Sequence, residues 1–107
     1  MTDAEFEQLA DRTLAAVERA LDRSALDIDV QSKGDGVLEI EFSDGSKVIV
    51  NRHGAAREIW VAARSGGFHF RHAVDAWRDT RDGTELFAAL SKIVSAQSGT
   101  AVILAPA

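Results

Sequence analysis

The stretch GVLEIEFSDGSKVIVNR, residues 36–52, alternates apolar and polar positions on both sides of Ser43-Asp44-Gly45-Ser46. Successive side chains of a strand point to opposite faces. Leu38, Ile40 and Phe42 therefore share one face and Glu39 and Glu41 the other. Asp44-Gly45 supplies the positive φ that a tight hairpin demands, so residues 47–52 read as the returning strand. A hairpin with one apolar face needs something to cover it, and the flanking segments supply it.

Upstream, residues 26–31 (LDIDVQ) repeat the alternation, with Leu26, Ile28 and Val30 opposed to Asp27, Asp29 and Gln31. Lys33-Gly34-Asp35-Gly36 reads as the turn between the two strands. Further upstream, residues 3–23 contain no Gly or Pro and carry Phe6, Leu9, Ala10, Thr13, Leu14, Val17 and Leu21 at helical spacing. Thr2 or Asp3 is the expected N-cap, with acids in the first turn where the helix dipole favours them.

Downstream, a loop around His53-Gly54 leads into EIWVAAR (58–64), where Ile59, Val61 and Ala63 fit the buried face and Trp60 the other. Ser65-Gly66-Gly67 reads as a turn. FHFRH (68–72) opposes Phe68 and Phe70 to His69 and Arg71, and AWRDT (76–80) reads as a short strand with Trp77 inward. After a turn at Arg81-Asp82-Gly83, Thr84 reads as the N-cap of a second helix with the stripe Leu86, Phe87, Leu90, Ile93, Val94 and Gln97. Gly99 suits its C-cap, and Val102-Ile103-Leu104 is expected to dock on the body. The expected fold is α+β: a two-layer α/β sandwich, with the N-terminal and C-terminal helices on one face of a mostly antiparallel, five- to six-stranded sheet. A chain of 107 residues makes this one domain, 1–107.

Composition narrows the function classes. The net charge of −5 and the pI near 5.1 repel phosphate backbones, so nucleic acid is not an expected partner. They favour cations or a basic protein surface. The absence of cysteine excludes disulfides, thiolate metal sites and a cysteine nucleophile. The N-terminus has no basic-then-apolar signal, and no apolar run approaches the ~20 residues of a membrane span. A cytoplasmic protein is expected, with no membrane partner. No Ser-His-Asp signature, HExxH or phosphate-cradling loop is present, so no catalytic residues are assigned and the chain is not expected to be an enzyme.

Three segments together, GVLEIEFSDGSKVIVNR (36–52), EIWVAARSGGFHF (58–70) and DGTELFAAL (82–90), resemble consecutive core motifs of the bacterial frataxins of the CyaY type. The opening DAEFEQLAD (3–11) is similar to that family's first helix. The resemblance runs along nearly the whole chain, in order and without a large insertion. It implies two helices on an antiparallel sheet, and weak, multi-site binding of iron (Fe2+ or Fe3+) along acids of the first helix and strand. It also implies docking on a cysteine desulfurase and its iron–sulfur scaffold protein. A monomer is expected, with an iron-dependent oligomer as the other state.

The residues agree with that chemistry in their own terms. At 100° per residue, Glu7, Asp11, Glu18 and Asp22 fall within roughly 60° on the helix, and Asp27 and Asp29 follow on one face of the first strand. Carboxylates are hard ligands suited to iron and to other divalent cations in its place. Neighbouring carboxylates repel one another by a few tenths of a kcal/mol, which a cation relieves. The bland alternative is a solvated acidic helix face, and the resemblance tips the balance against it. Frataxins usually carry a denser acidic run at this junction. Here Arg19 and Arg23 interrupt it and can pair with nearby acids, so fewer or weaker iron sites are expected. Arg12, Arg19 and Arg23 lie within about 40° on the other flank of the exposed helix face.

His53, His69 and His72 form no tight metal motif, and ordinary surface histidines are the simpler reading, with a secondary metal role for His69 or His72 the weaker one. On a strand His69 and His72 point to opposite faces. Trp60, with Asn51 and Arg64, is expected on the sheet face away from the helices. There an exposed Trp is an interface anchor; a Trp covered by neighbouring loops is the alternative. Asn51 and Trp60 match recurring residues of the frataxin face that meets the assembly machinery. Two functions follow: an iron donor or buffer that also regulates the desulfurase–scaffold complex, or a pure interaction module whose contact iron only modulates. A ferroxidase has least support, since no di-iron carboxylate and histidine motif is visible.

Overall fold

The computed structural model describes residues 1–106. The chain runs α1 (Asp3–Arg23), β1 (Ile28–Ser32), β2 (Val37–Phe42), β3 (Lys47–His53), β4 (Glu58–Ala63), β5 (Gly66–Ala73), β6 (Ala76–Asp79) and α2 (Leu86–Ser98). The six strands form one sheet in the order β1-β2-β3-β4-β5-β6, every neighbouring pair antiparallel. Both helices pack on one face, as the apolar patterning predicts.

The core lies between the layers. Phe6, Ala10, Leu14, Val17 and Leu21 of α1 and Leu86, Leu90 and Val94 of α2 are buried against Ile40, Val48, Val50, Ile59, Val61 and Phe70 of the sheet. Trp77 is buried, as expected, with its edge against Phe6 and its Nε1 donating to the Thr13 hydroxyl at 2.9 Å. The Thr2 hydroxyl accepts from the Glu5 amide at 3.1 Å while the Glu5 carboxylate accepts from the Thr2 amide at 2.8 Å, so Thr2 caps α1 with a reciprocal box.

The C-terminal tail docks through two serines. Ser91 Oγ accepts from the Leu104 amide at 2.8 Å and Ser95 Oγ from the Val102 amide at 2.9 Å, while Leu104 is buried. Gly99 caps α2 in the left-handed conformation. Gln97, also buried, ties the end of α2 to the β2–β3 turn through the Ser46 hydroxyl (3.0 Å) and the Lys47 carbonyl (3.1 Å). No helix is long and apolar enough to cross a membrane among the described residues.

Several boundaries differ from the sequence reading. β1 begins at Ile28 rather than Leu26, because Ala25 takes a left-handed conformation (φ 61°) that turns the chain after α1. Asp27 therefore lies in a bend before the strand instead of sharing its face with Asp29. Gly66 and Gly67 are not a turn but pair with Ala63 and Ala62, leaving Arg64 and Ser65 as the turn. Glu85, not Thr84, caps α2: its carboxylate accepts from the amides of Phe87 at 2.8 Å and Ala88 at 3.1 Å.

Candidate functional site

Two surfaces collect the residues singled out by the sequence. The first is the exposed flank of α1 with the neighbouring edge of the sheet. Glu7 and Asp11 face β3, where Arg52 meets them both: Nη1 bonds Asp11 Oδ1 and Nη2 lies 3.5 Å from Glu7 Oε1. The Arg52 side chain is only 17% exposed, its stem packed over Gly36. A Cβ at Gly36 would stand 2.6 Å from Arg52 Cγ, so the turn approaches this closely only because it carries glycine.

Glu18, half-buried, borders a cleft of about 290 Å3 between α1 and the β1–β2 turn, with Asp11, Asp35, Gly36 and Arg52 also on its walls. Asp22, Asp27 and Asp29 are exposed. Asp29 faces Glu41 directly across β1–β2, a carboxylate neighbour that the helix-stripe argument did not include. Arg19 and Arg23, which can pair with nearby acids, form no ion pair among the described residues, and Arg23 Nη2 approaches the Ala105 carbonyl at 3.4 Å. No three Asp, Glu or His side chains converge tightly enough to hold one ion among the described residues.

The second surface is the sheet face away from the helices. Trp60 lies there, paired in register with Asn51 on β3 and His69 on β5. It is not bare, as parity alone suggests. His53 stacks on one side of the indole (centroids 3.7 Å, planes 10° apart) and His69 on the other (4.4 Å, 9°), leaving Trp60 half-buried. His72 is on the opposite face with its edge against Trp77, as alternation requires. Asn51 turns its side-chain amide to the Arg52 carbonyl at 3.2 Å. Arg64 lies past the end of β4 and pairs with Asp44 at 3.1 Å.

Beneath the stack lies Glu58, 5% exposed. Oε1 accepts from Trp60 Nε1 at 2.9 Å with His69 Nδ1 at 3.6 Å, and Oε2 accepts from Arg71 Nη2 at 2.6 Å. Burial by itself pushes the Glu58 carboxyl up. The hydrogen bonds from Trp60 and Arg71, with the Arg71 and His69 charges, outweigh burial and hold it below the ordinary glutamate range. The sequence signal that could have found it is the parity of β4: Glu58 shares a face with Trp60 two residues on.

A family model described as the frataxin-like domain matches residues 1–100. The chain belongs to the frataxin-like family. This frataxin-like protein is 54% identical over 104 residues to a protein of Dechloromonas aromatica named iron–sulfur cluster assembly protein CyaY, with 97% of this chain and 99% of the relative covered. It is 48% identical over 106 residues to a protein of the same name from Paraburkholderia phymatum, covering 99% and 100%. Among solved structures, frataxin from Psychromonas ingrahamii matches with a TM-score of 0.88 at 32% identity, over 95% of this chain and 96% of that one. A trimeric frataxin from the yeast Saccharomyces cerevisiae, solved in a ferrous complex, matches with a TM-score of 0.67 at 24% identity, over 94% and 88%, and supports the fold alone. The two-helix frataxin fold with five to six strands read from the sequence is the fold observed, with six strands.

Proposed function

We propose that this protein serves iron–sulfur cluster assembly in the cytoplasm, carrying iron weakly on exposed carboxylates and docking on a cysteine desulfurase and its scaffold protein, without catalysis of its own. Full-length similarity to relatives named for cluster assembly supports the pathway. The observation that carries the site is the exposure of Asp22, Asp27, Asp29 and Glu41 with no ion-pair partner among the described residues. Hydrated carboxylates of this kind load and release a hard cation easily, since no preorganised shell holds it. Iron is the cargo, in its ferrous or ferric form, and other divalent cations substitute for it.

The same acids fit a basic groove on a partner, and one observation favours that second reading, a regulator whose contact iron only modulates. Arg52 already occupies Glu7 and Asp11, and no three ligands converge. An NMR titration with ferrous and ferric iron, run beside a desulfurase titration, separates the two. Asp→Glu changes at Asp22, Asp27 and Asp29 preserve charge and alter chelate geometry. Lost iron shifts with intact desulfurase affinity support the carrier reading with separate roles. Iron shifts confined to His53, His69 and His72 would remove the acidic surface from the proposal.

A further inference from the structure

The register of the sheet draws a row of polar side chains across the open face: His53 on β3, Glu58 on β4, Arg71 on β5 and Arg78 on β6 stand side by side. The adjoining row is Asn51, Trp60 and His69. Two acids flank the arginines: Glu58, buried with both oxygens engaged, and Glu85, bridged to Arg78 on its far side with its carboxylate taken by the amides of Phe87 and Ala88. Arg71 gives it a single Nη2 bond, and its side chain stays 64% exposed. Arg78 is exposed and pairs with no carboxylate among the described residues; its Nη1 reaches only the Gly83 carbonyl, at 3.3 Å.

Two guanidinium side chains directly opposite each other on neighbouring strands repel. No carboxylate bridges the pair among the described residues: Glu58 is bonded beneath Arg71, and Glu85, beside Arg78, turns its carboxylate to the amides of Phe87 and Ala88. In a chain of net charge −5, the exposed side chains of Arg71 and Arg78 offer the opposite charge to α1 and to the Asp29–Glu41 edge.

We propose that the β4–β6 half of the open face receives an acidic segment of a protein partner, with partner carboxylates on Arg71 and Arg78 and an apolar or amide side chain laid against the Trp60 stack. This rests on the reading that the open face docks on the cluster-assembly machinery, and it deepens that reading by naming the chemistry of the docked segment. A partner carboxylate between Arg71 and Arg78 removes the like-charge contact and gains two charge-assisted hydrogen bonds. Two guanidinium groups in an acidic protein are too few to hold a polyanion against its counterions, which favours a protein segment over nucleic acid.

Arg78→Glu is the discriminating variant, because it reverses the charge offered to the partner while trading the like-charge contact with Arg71 for one with Glu85. Its melting temperature is expected to stay level. Its affinity for the purified desulfurase and scaffold proteins, titrated separately and together, is expected to fall about tenfold, with a shallower salt dependence. Arg78→Lys is expected to keep most of the affinity. A purely structural role would move stability and affinity together. Unchanged or increased affinity in Arg78→Glu, with weakened binding in Trp60→Ala, overturns the acidic-segment inference and leaves the docking face standing. Unchanged affinity in both variants overturns the docking face as well. Binding of a single-stranded oligonucleotide at physiological salt, lost in Arg78→Glu, would reassign the patch and overturn the inference.

Discussion

Arg52 on β3 is the charge partner of Asp11 on α1, forty-one positions away in the chain. The guanidinium also reaches Glu7, so one side chain from the sheet occupies the N-terminal end of the acidic helix flank. A cation arriving there has to displace Arg52, whereas Asp22 and Asp27 have no side-chain partner among the described residues and Asp29 has only the Gln31 amide, at 3.0 Å. Iron shifts are therefore expected at Asp22, Asp27 and Asp29 before Glu7 and Asp11. In Arg52→Gln the order is expected to level, with Glu7 and Asp11 responding at lower iron. The variant should lose on the order of 1 kcal/mol of stability, from an exposed ion pair plus the packing of the Arg52 stem. Gly36→Ala, which pushes on that stem, should shift the same residues in the same direction. Identical titration order in all three proteins would show that Arg52 does not govern the site.

The arginines on the other flank act differently. Arg19 and Arg23 form no ion pair among the described residues, so they oppose a cation through space rather than by occupying ligands. The double change Arg19→Glu, Arg23→Glu is expected to tighten iron binding severalfold, with the gain shrinking as ionic strength rises. Calorimetry at two salt concentrations checks this. No gain at low salt would mean that the site stops short of that end of α1.

Glu58 gives the protein a pH-dependent contribution to stability of known sign. Its carboxyl is held below the ordinary value of 4.5 in the folded protein, where burial is outweighed by hydrogen bonds from Trp60 and Arg71. The unfolded chain then binds the proton more readily, so this stabilisation is complete above 4.5 and drains as pH falls below it through the native value. Melting curves of the protein and of Glu58→Gln should differ most above 4.5 and converge as pH falls below it. A gap that widens on acidification would reverse the assignment. Glu58→Ala leaves Trp60 Nε1 and Arg71 without their acceptor and is expected to cost about 1–3 kcal/mol.

The tail is a stability element that sequence alone marks only as apolar. Leu104→Ala is expected to cost about 2–5 kcal/mol, the range for truncating a buried leucine. Ser91→Ala and Ser95→Ala should cost about 1 kcal/mol each by removing hydroxyls that serve the tail backbone. Urea unfolding of the three variants measures this. A cost near zero for Leu104→Ala would mean that the tail contributes nothing to the folded state.

How far the sequence could be read depended on whether a feature was periodic. The strands of residues 36–52 were legible because apolar and polar side chains alternate, and α1 was legible because its apolar residues recur every three or four. Gly66 and Gly67 have no side chain to take part in an alternation, so a strand start looked like a turn. Ala25 sits in a left-handed conformation that glycine or asparagine usually marks, so periodicity alone starts β1 two residues early. Thr84 and Glu85 are both chemically able to cap, and nothing in composition separates positions one apart. The sites were less legible than the fold. Trp60 was placed on the correct face by parity, but its two histidine neighbours come from other strands and meet it only through register. Arg52 was likewise invisible as a partner of Asp11 until β3 lay beneath α1.

Strand order in the sheet is identical to strand order in the chain, which has a consequence for timing. Each strand pairs with the one made just before it, so the meander can close hairpin by hairpin with short loops and little entropic delay. The layer over β6 is different. Phe70 and Trp77 belong to a core that α2 completes, and α2 begins only at Leu86. At about 5–20 residues per second of synthesis, the finished sheet waits roughly one to four seconds for residues 80–98, which complete α2. During that interval an apolar floor and the β6 edge are open to other nascent chains. The vulnerable moment in the synthesis of this fold is thus the interval between β6 and α2, and chaperone dependence should track the speed at which α2 is made.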